Sequence, residues 1–120
     1  MSVDQQKVLA TRRQLECIDE VRVQPQLVSA VRSGHWNDKS ELLKKWVLCV
    51  LMKAGLMTKE GVYIMDGPLA KTHPDHRALL ERIIDMCLSQ DAIPASEIAY
   101  NFAKCFRRVG RGHFAYANIF

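Results

Sequence analysis

The chain has 120 residues, of which 48% are hydrophobic and 25% are charged, and its formal net charge is +4. This length predicts a single domain over residues 1–120, and the lack of any run of about 18 apolar residues argues against a transmembrane helix. The basic residues are scattered along the chain, whereas a nucleic-acid binder concentrates them on one face, so nucleic acid is not expected as a partner.

Apolar periodicity predicts three helices in the first half of the chain. The first is expected over residues 3–22, and a short second one over residues 26–32 follows a proline. Residues 38–41 form a capping-box variant with Asp38 as the cap, and they begin the strongest helix, which ends at Gly55. The residues expected on or near one face of the first helix are Val8, Leu15, Ile18 and Val21.

The second half of the chain is predicted to contain a loop followed by further helices. Residues 56–73 include two glycines and a proline, which is typical of a loop with at most a short helix near Leu69. The apolar residues at 56–65 are too many for solvent and should face inward. A fifth helix follows Pro74, and Pro94 begins the last one, which has a regular apolar stripe. The expected fold is therefore all-α with six helices.

The C-terminal tail, residues 110–120, is unusual because a disordered terminus is generally poor in aromatic residues. It begins with a flexible Gly-Arg-Gly sequence, and the apolar residues that follow are Phe114, Tyr116, Ile119 and Phe120. This composition predicts that the tail packs on the body of the domain or closes over a site within it.

Four cysteines, Cys17, Cys49, Cys87 and Cys105, are separated by 31, 37 and 17 residues. No two are close enough for the Cys-x-x-Cys clamp of a zinc site or a redox pair, and each lies on the apolar face of a predicted helix. Disulfides between helices are expected, with three pairings possible, and they indicate a secreted protein. Because residues 1–7 are polar and lack the apolar stretch of a signal peptide, we expect the mature form.

The cysteine intervals and the sequence around Cys49 resemble the insect odorant-binding protein family, which comprises pheromone-binding and general odorant-binding proteins. The match is to its four-cysteine, or C-minus, branch. The similarity covers essentially the whole chain and includes the sequence Lys-Ala-Gly-Leu-Met at 53–57 and the turn at 58–61. The family is all-α, with helices that surround an apolar cavity.

The resemblance also implies how the cysteines pair. The expected bridges are Cys17–Cys49, between the first and third helices, and Cys87–Cys105, between the last two. Six-cysteine members carry one more bridge, between positions that are occupied here by Lys45 and Ser96. The third and last helices are therefore expected to lack a covalent link, which would leave the cavity more adaptable.

By the same resemblance the chain is expected to be a non-enzymatic carrier that binds small hydrophobic ligands, such as odorants or pheromones, and transports them in extracellular fluid. The residues carried over from the family motif as ligand contacts are Leu51, Met52, Leu56, Tyr63 and Phe106, with Phe114 and Tyr116 in the tail as a lid. Helical periodicity adds Met65, Leu69, Leu80, Ile84 and Phe102. For each of these residues alone, packing in the core is the alternative role.

Two other functions remain open at this point. One is a haemolymph carrier of lipophiles without an olfactory role, and the other is a basic helical module that binds nucleic acid or protein. Titration of free thiols separates the classes, because a secreted carrier should have none and an intracellular module four. The chain has no Gly-x-Ser-x-Gly, phosphate loop or His-Glu-x-x-His sequence, so neither catalysis nor a cofactor is expected.

The four histidines allow two further hypotheses. His73 and His76 have a spacing that can bind a metal, but no third ligand is evident, so no metal site is expected. All four, His35, His73, His76 and His113, are candidates for pH sensors. As partners beyond the ligand we expect a membrane receptor downstream, and as oligomeric state a monomer or weak homodimer.

Overall fold

A computed structural model describes residues 3–64, 73–88 and 93–110. Within these ranges the chain forms one 3₁₀ turn, Pro74–His76, and five α-helices. The helices are α1 (Val3–Val21), α2 (Pro25–Arg32), α3 (Glu41–Lys53), α4 (Arg77–Cys87) and α5 (Ala95–Gly110). The all-α class is confirmed, and the additional short helix expected near Leu69 lies outside the described residues. Among the described helices, none has the length and apolarity needed to cross a membrane.

The centre of the fold is the contact between α3 and α5, with α1 packed on α3 and α4 packed on α5. All four cysteines form disulfides, Cys17–Cys49 and Cys87–Cys105, with Cα–Cα distances of 5.8 and 5.4 Å. The pairing implied by the family resemblance is therefore confirmed. By the loop-entropy estimate each bridge stabilises the fold by about 3 to 4 kcal/mol, because it restricts the unfolded chain.

The orientation of α1 differs in part from the prediction. Val8 and Leu15 were expected on its buried face, but they are 61% and 56% exposed. Cys17 must face α3 to form its disulfide, and Leu15 lies about 200° around the helix from it, since each residue turns the helix by about 100°. Ile18 and Val21 do pack against the core as expected.

The start of α3 also differs from the prediction. Its N-cap is Ser40, whose hydroxyl accepts a hydrogen bond from the backbone N–H of Leu43 at 3.1 Å. Asp38 instead accepts hydrogen bonds from Tyr100 and Lys104 on α5. Both Ser and Asp are good caps, so only the proximity of α5 decides that Asp38 makes a tertiary contact instead.

The end of α3 leads into a hairpin at 56–64. Gly55 has a φ of +74°, and the N–H of Leu56 donates to the carbonyl of Leu51 at 2.9 Å, which is the Schellman arrangement. The hairpin is closed by a bridge between Met57 and Tyr63. This confirms Gly55 as the end of the helix.

Within the hairpin, side chains alternate between the core and solvent because the backbone is extended. Met57 and Tyr63 are buried, whereas Val62 is 61% exposed and Ile64 is also exposed. The expectation that all the apolar residues of this loop face inward is therefore wrong for Val62 and Ile64.

The short helix α2 is held at its C-terminus by two arginines, one from α5 and one of its own. The guanidinium of Arg107 on α5 donates to the carbonyls of Val31 and Arg32 at 2.5 and 2.6 Å. Arg32 in turn donates to the side-chain oxygen of Gln14 on α1. A cation at a helix C-terminus satisfies the last carbonyls and interacts favourably with the helix dipole, so these contacts position α2 between α1 and α5.

Candidate ligand-binding site

Most of the predicted ligand contacts lie together in the interior of the domain. Leu51, Tyr63, Leu80, Ile84, Phe102 and Phe106 belong to one buried apolar cluster, and Leu56 packs against it half-buried. Met52 is 41% exposed and therefore lies outside this cluster. Met65, Leu69, Phe114 and Tyr116 lie outside the described residues. A role in ligand binding stays a prediction for all twelve residues.

An aromatic stripe runs along α5 and continues onto the hairpin. Phe102 and Phe106 are four residues apart on one face of the helix, and their rings stack with centroids 5.4 Å apart. The ring of Tyr63 lies against Phe102 with a centroid distance of 4.6 Å. The stripe therefore offers aromatic faces with one phenol among them, and it is formed only when the hairpin folds onto α5.

The apolar surroundings of the stripe come from two further helices. Leu80 and Ile84 lie one turn apart on α4, which the Cys87–Cys105 disulfide links to α5. Leu51 comes from the last turns of α3. Since Leu51, Leu80 and Ile84 are almost completely buried, three helices and the hairpin together enclose an apolar interior.

The sequence-based set of contacts omitted several buried residues of the same region. Met57 pairs with Tyr63 across the hairpin and is fully buried, as are Ala99 and Ala103 on the inner face of α5. Residues 57 and 63 are a directly opposed antiparallel pair, which places their side chains on the same side of the hairpin, and only the folded hairpin reveals this pairing. Ala99 and Ala103 each lie three residues before one of the two phenylalanines, and they are four residues apart from each other. They therefore belong to the same helical stripe as Phe102 and Phe106.

Polar groups surround one edge of the α3–α5 contact. The Nζ of Lys44 on α3 lies 2.5 Å from the Oε1 of Glu97 on α5, and the Tyr100 hydroxyl donates to Asp38 at 2.5 Å. The hydrogen bond to Glu97 raises the pKa of Lys44, and the hydrogen bonds from Tyr100 and Lys104 lower the pKa of Asp38. Burial, followed by the bond to Asp38, raises the pKa of Tyr100.

The interior contains no unpartnered polar side-chain atom among the described residues. Even the indole of Trp46 donates its Nε1–H to the carbonyl of Gln14 at 3.1 Å. Because a buried polar group without a partner costs free energy, a fully satisfied interior favours contact with apolar rather than highly polar molecules.

Neither candidate metal group has a complete set of ligands in the part of the chain that the structure describes. Cys17, Glu20 and Cys49 place their ligand atoms within 4.8 Å of one another, but both sulfurs are joined in a disulfide and neither is a thiolate. The Nδ1 of the exposed His73 accepts a hydrogen bond from the backbone N–H of Asp75, with an N···N distance of 3.2 Å. The Oδ2 of Asp75 lies 3.4 Å from the same Nδ1, but among the described residues His73, Asp75 and His76 do not bring three ligand atoms within 4.8 Å of one another.

Comparison with known proteins gives a family and two similar folds. The model of the PBP/GOBP family matches residues 1–109. The medfly odorant-binding protein CcapOBP22/CcapOBP69a is 25% identical, with a TM-score of 0.65, and the match covers 82% of this chain and 85% of that one. Apis mellifera odorant binding protein 5 is 18% identical, with a TM-score of 0.73 and coverage of 95% and 97%, which is a likeness of fold alone. No curated protein sequence matches the chain.

Proposed function

Because the chain belongs to the PBP/GOBP family of insect odorant-binding proteins, we propose that it is a carrier of small hydrophobic molecules. It binds odorants, pheromones or similar lipophiles in its apolar interior and transports them in extracellular fluid, either sensillar lymph or haemolymph. It performs no chemistry on them. The two disulfides support an extracellular location, since such bonds persist in oxidising compartments.

The observation that carries this proposal is the aromatic stripe within the interior enclosed by α3, α4, α5 and the hairpin. Burying apolar surface contributes roughly 25 cal/mol per Å², so a ligand of modest size gains several kcal/mol from contact with these side chains. The phenol of Tyr63 adds one polar group beside the rings, which suits a ligand with a single alcohol, aldehyde or ester oxygen.

The proposed contacts extend beyond the described residues. Met65 and Leu69 follow the hairpin in sequence, and Phe114 and Tyr116 lie in the tail, where we propose that they form a lid over the ligand. Met52 completes the set on the last turn of α3. Methionine suits such a role because its thioether is flexible and polarisable, so it adapts to ligands of different shape.

The alternative functions are supported less well or differ only in the site of expression. All four cysteines are paired, as expected for a secreted carrier, whereas a basic intracellular module would keep four free thiols. A haemolymph carrier would bind the same class of ligand, so the site of expression distinguishes it from an olfactory protein. We keep a downstream membrane receptor and a monomer or weak homodimer as proposals.

The test is displacement of the fluorescent apolar probe N-phenyl-1-naphthylamine by a panel of volatile alcohols, aldehydes and esters. We expect saturable binding of one probe per chain with a Kd on the order of 1 μM, which corresponds to about 8 kcal/mol. Phe102→Leu should weaken binding, whereas Leu15→Ala on the exposed face of α1 is the matched control and should not. Absence of saturable binding in a natively folded sample would contradict the carrier function.

Two further arms of the same assay test the finer proposals. Deletion of residues 112–120 should lower affinity several-fold if the tail is a lid, and an unchanged affinity would reject the lid. An affinity that is equal at pH 7 and pH 5 would reject the histidines as pH sensors, because imidazole titrates within that range.

A further inference from the structure

The disulfides join four of the five described helices into two covalently linked pairs. Cys17–Cys49 joins α1 to α3, and Cys87–Cys105 joins α4 to α5. Each disulfide lies within one of these pairs, so no disulfide connects α3 to α5 at the centre of the fold. Apart from the chain itself, this contact depends on noncovalent interactions alone.

The first polar contact between α3 and α5 is an ion pair, and its lysine is more deeply buried than lysines usually are. The side chain of Lys44 is only 8% exposed, and its Nζ lies 2.5 Å from Glu97 in the first turn of α5. Glu41 on α3 adds a second carboxylate at 3.4 Å. Separation of α3 from α5 would break the contact with Glu97 and leave Lys44 with the more distant and exposed Glu41, so this ion pair opposes separation of the two helices.

The second contact begins just before α3. Asp38 accepts a hydrogen bond from the hydroxyl of Tyr100 at 2.5 Å and is bound by the Nζ of Lys104 at 3.0 and 3.2 Å. The Tyr100 ring is almost fully buried, and the ammonium groups of Lys44 and Lys104 lie 5.8 and 6.0 Å from its centre. Tyr100 thus connects the two contacts into one network, the polar clasp, made of Asp38, Lys44, Glu97, Tyr100 and Lys104.

We propose that the polar clasp fastens the α3–α5 contact in place of a covalent link. When it is released, the α4–α5 pair separates locally from the α1–α3 pair while both disulfides remain intact. The inference concerns the fold and does not rest on the proposed function. Since Phe102 and Phe106 lie on α5, however, such an opening would also expose the aromatic stripe, and it is a route by which a ligand can enter and leave.

A second ion-pair cluster supplies a matched control. Lys53 on α3 lies 3.0 Å from Glu20 and 3.4 Å from Glu16, both on α1. This cluster also joins two helices through a lysine and two carboxylates, but the helices it joins are already linked by Cys17–Cys49. Loss of its carboxylates should therefore leave the helices together, whereas loss of the clasp carboxylates should not.

The experiment measures native-state amide hydrogen exchange of the oxidised protein at pH 7. The clasp variant is Asp38→Asn with Glu97→Gln, and the control variant is Glu16→Gln with Glu20→Gln. We expect the protected amides of α5 to exchange about tenfold faster in the clasp variant than in the wild type, while those of α1 change by less than about twofold. The control variant should differ from the wild type by less than about twofold throughout.

Two results would overturn the proposal. One is unchanged exchange of the α5 amides in the clasp variant. The other is an equal acceleration in α1 and α5, which would indicate global unfolding rather than local separation. If the double variant lacks native helicity, the single variant Asp38→Asn is measured in the same way, and its α5 amides should exchange about threefold faster with α1 unchanged.

Discussion

At Gly61 the hairpin approaches the first turn of α5 so closely that a Cβ there would force its neighbours to move by a few tenths of an ångström. Its φ is +88°, and a Cβ there would lie 3.0 Å from the Cδ1 of Ile98 and 3.3 Å from the Cα of Ala95. The hairpin carries Tyr63 to its place beside Phe102. The absence of a side chain at one position therefore helps to build the aromatic stripe.

This geometry predicts that Gly61→Ala destabilises the fold more than the same change at Gly34. Gly34 has nearly the same φ, +87°, but open space around the position of its Cβ. A left-handed alanine costs about 1 to 2 kcal/mol at either site, and the contact with Ile98 and Ala95 should add about 1 kcal/mol or more at Gly61.

Urea denaturation of both variants and the wild type measures this difference. Equal losses of stability for Gly61→Ala and Gly34→Ala would mean that the hairpin shifts to accommodate the added methyl group. The close contact with α5 would then be unimportant.

At the scale of elements, the pairing of helices by disulfides leaves α3 and α5 as the place where an added covalent link should have the largest effect. The resemblance to six-cysteine members located such a link at Lys45 and Ser96. In the structure their neighbours Lys44 and Glu97 are in direct contact. Positions 45 and 96 are thus one residue away from an established contact between the two helices.

We therefore expect that Lys45→Cys combined with Ser96→Cys forms a third disulfide. Thiol titration of the double variant should find no free thiol, whereas each single variant should show one. The link should stabilise the fold by about 3 to 4 kcal/mol and raise the Tm by at least several degrees. Two free thiols in the oxidised double variant would show that these positions do not face each other.

The variant with the third disulfide also tests the role of the polar clasp. Added to the clasp variant, the third disulfide should restore the slow exchange of the α5 amides, because it supplies covalently what the clasp supplies by charge. Failure to restore it with the disulfide formed would argue that the clasp acts within α5 rather than between the helices.

For the whole molecule, the pKa directions predict how stability depends on pH. The pKa of Asp38 is lowered in the folded state by Tyr100 and Lys104, so its contribution is present above the unfolded value of 3.8 and is lost as the pH falls through the lower folded value. The pKa of Lys44 is raised, so its contribution is complete below 10.5 and is lost only above that value. The clasp should therefore be intact throughout the neutral range.

The free energy of unfolding of the wild type and Asp38→Asn should accordingly differ by a constant amount between pH 7 and pH 5. Since Asp38 is largely exposed, that difference should not exceed about 1 kcal/mol. It should shrink as the pH falls below 3.8, because the carboxyl of the unfolded wild type then takes up a proton before that of the folded protein does. Urea titrations at pH 7, 5 and 3 measure it, and a difference that already changes between pH 7 and 5 would assign the titration to another group.

Much of the architecture was predictable from the sequence. Helical periodicity predicted all five described helices, and Gly55 was correctly placed at the end of α3. The cysteine intervals and the sequence around Cys49 predicted the family and, through it, the two disulfides, both of which are confirmed. These features are local or depend on spacing along the chain, so they are contained in the order of the residues.

Where the sequence allows several local arrangements, only the tertiary structure determines which of them forms. Periodicity groups Val8 and Leu15 on one face of α1, but only the disulfide to α3 determines that this face points to solvent. Asp38 and Ser40 are both suitable caps, and Asp38 is used elsewhere because Tyr100 and Lys104 lie within reach. Such outcomes depend on what another element brings to the same place, and a pattern within one segment carries no information about it.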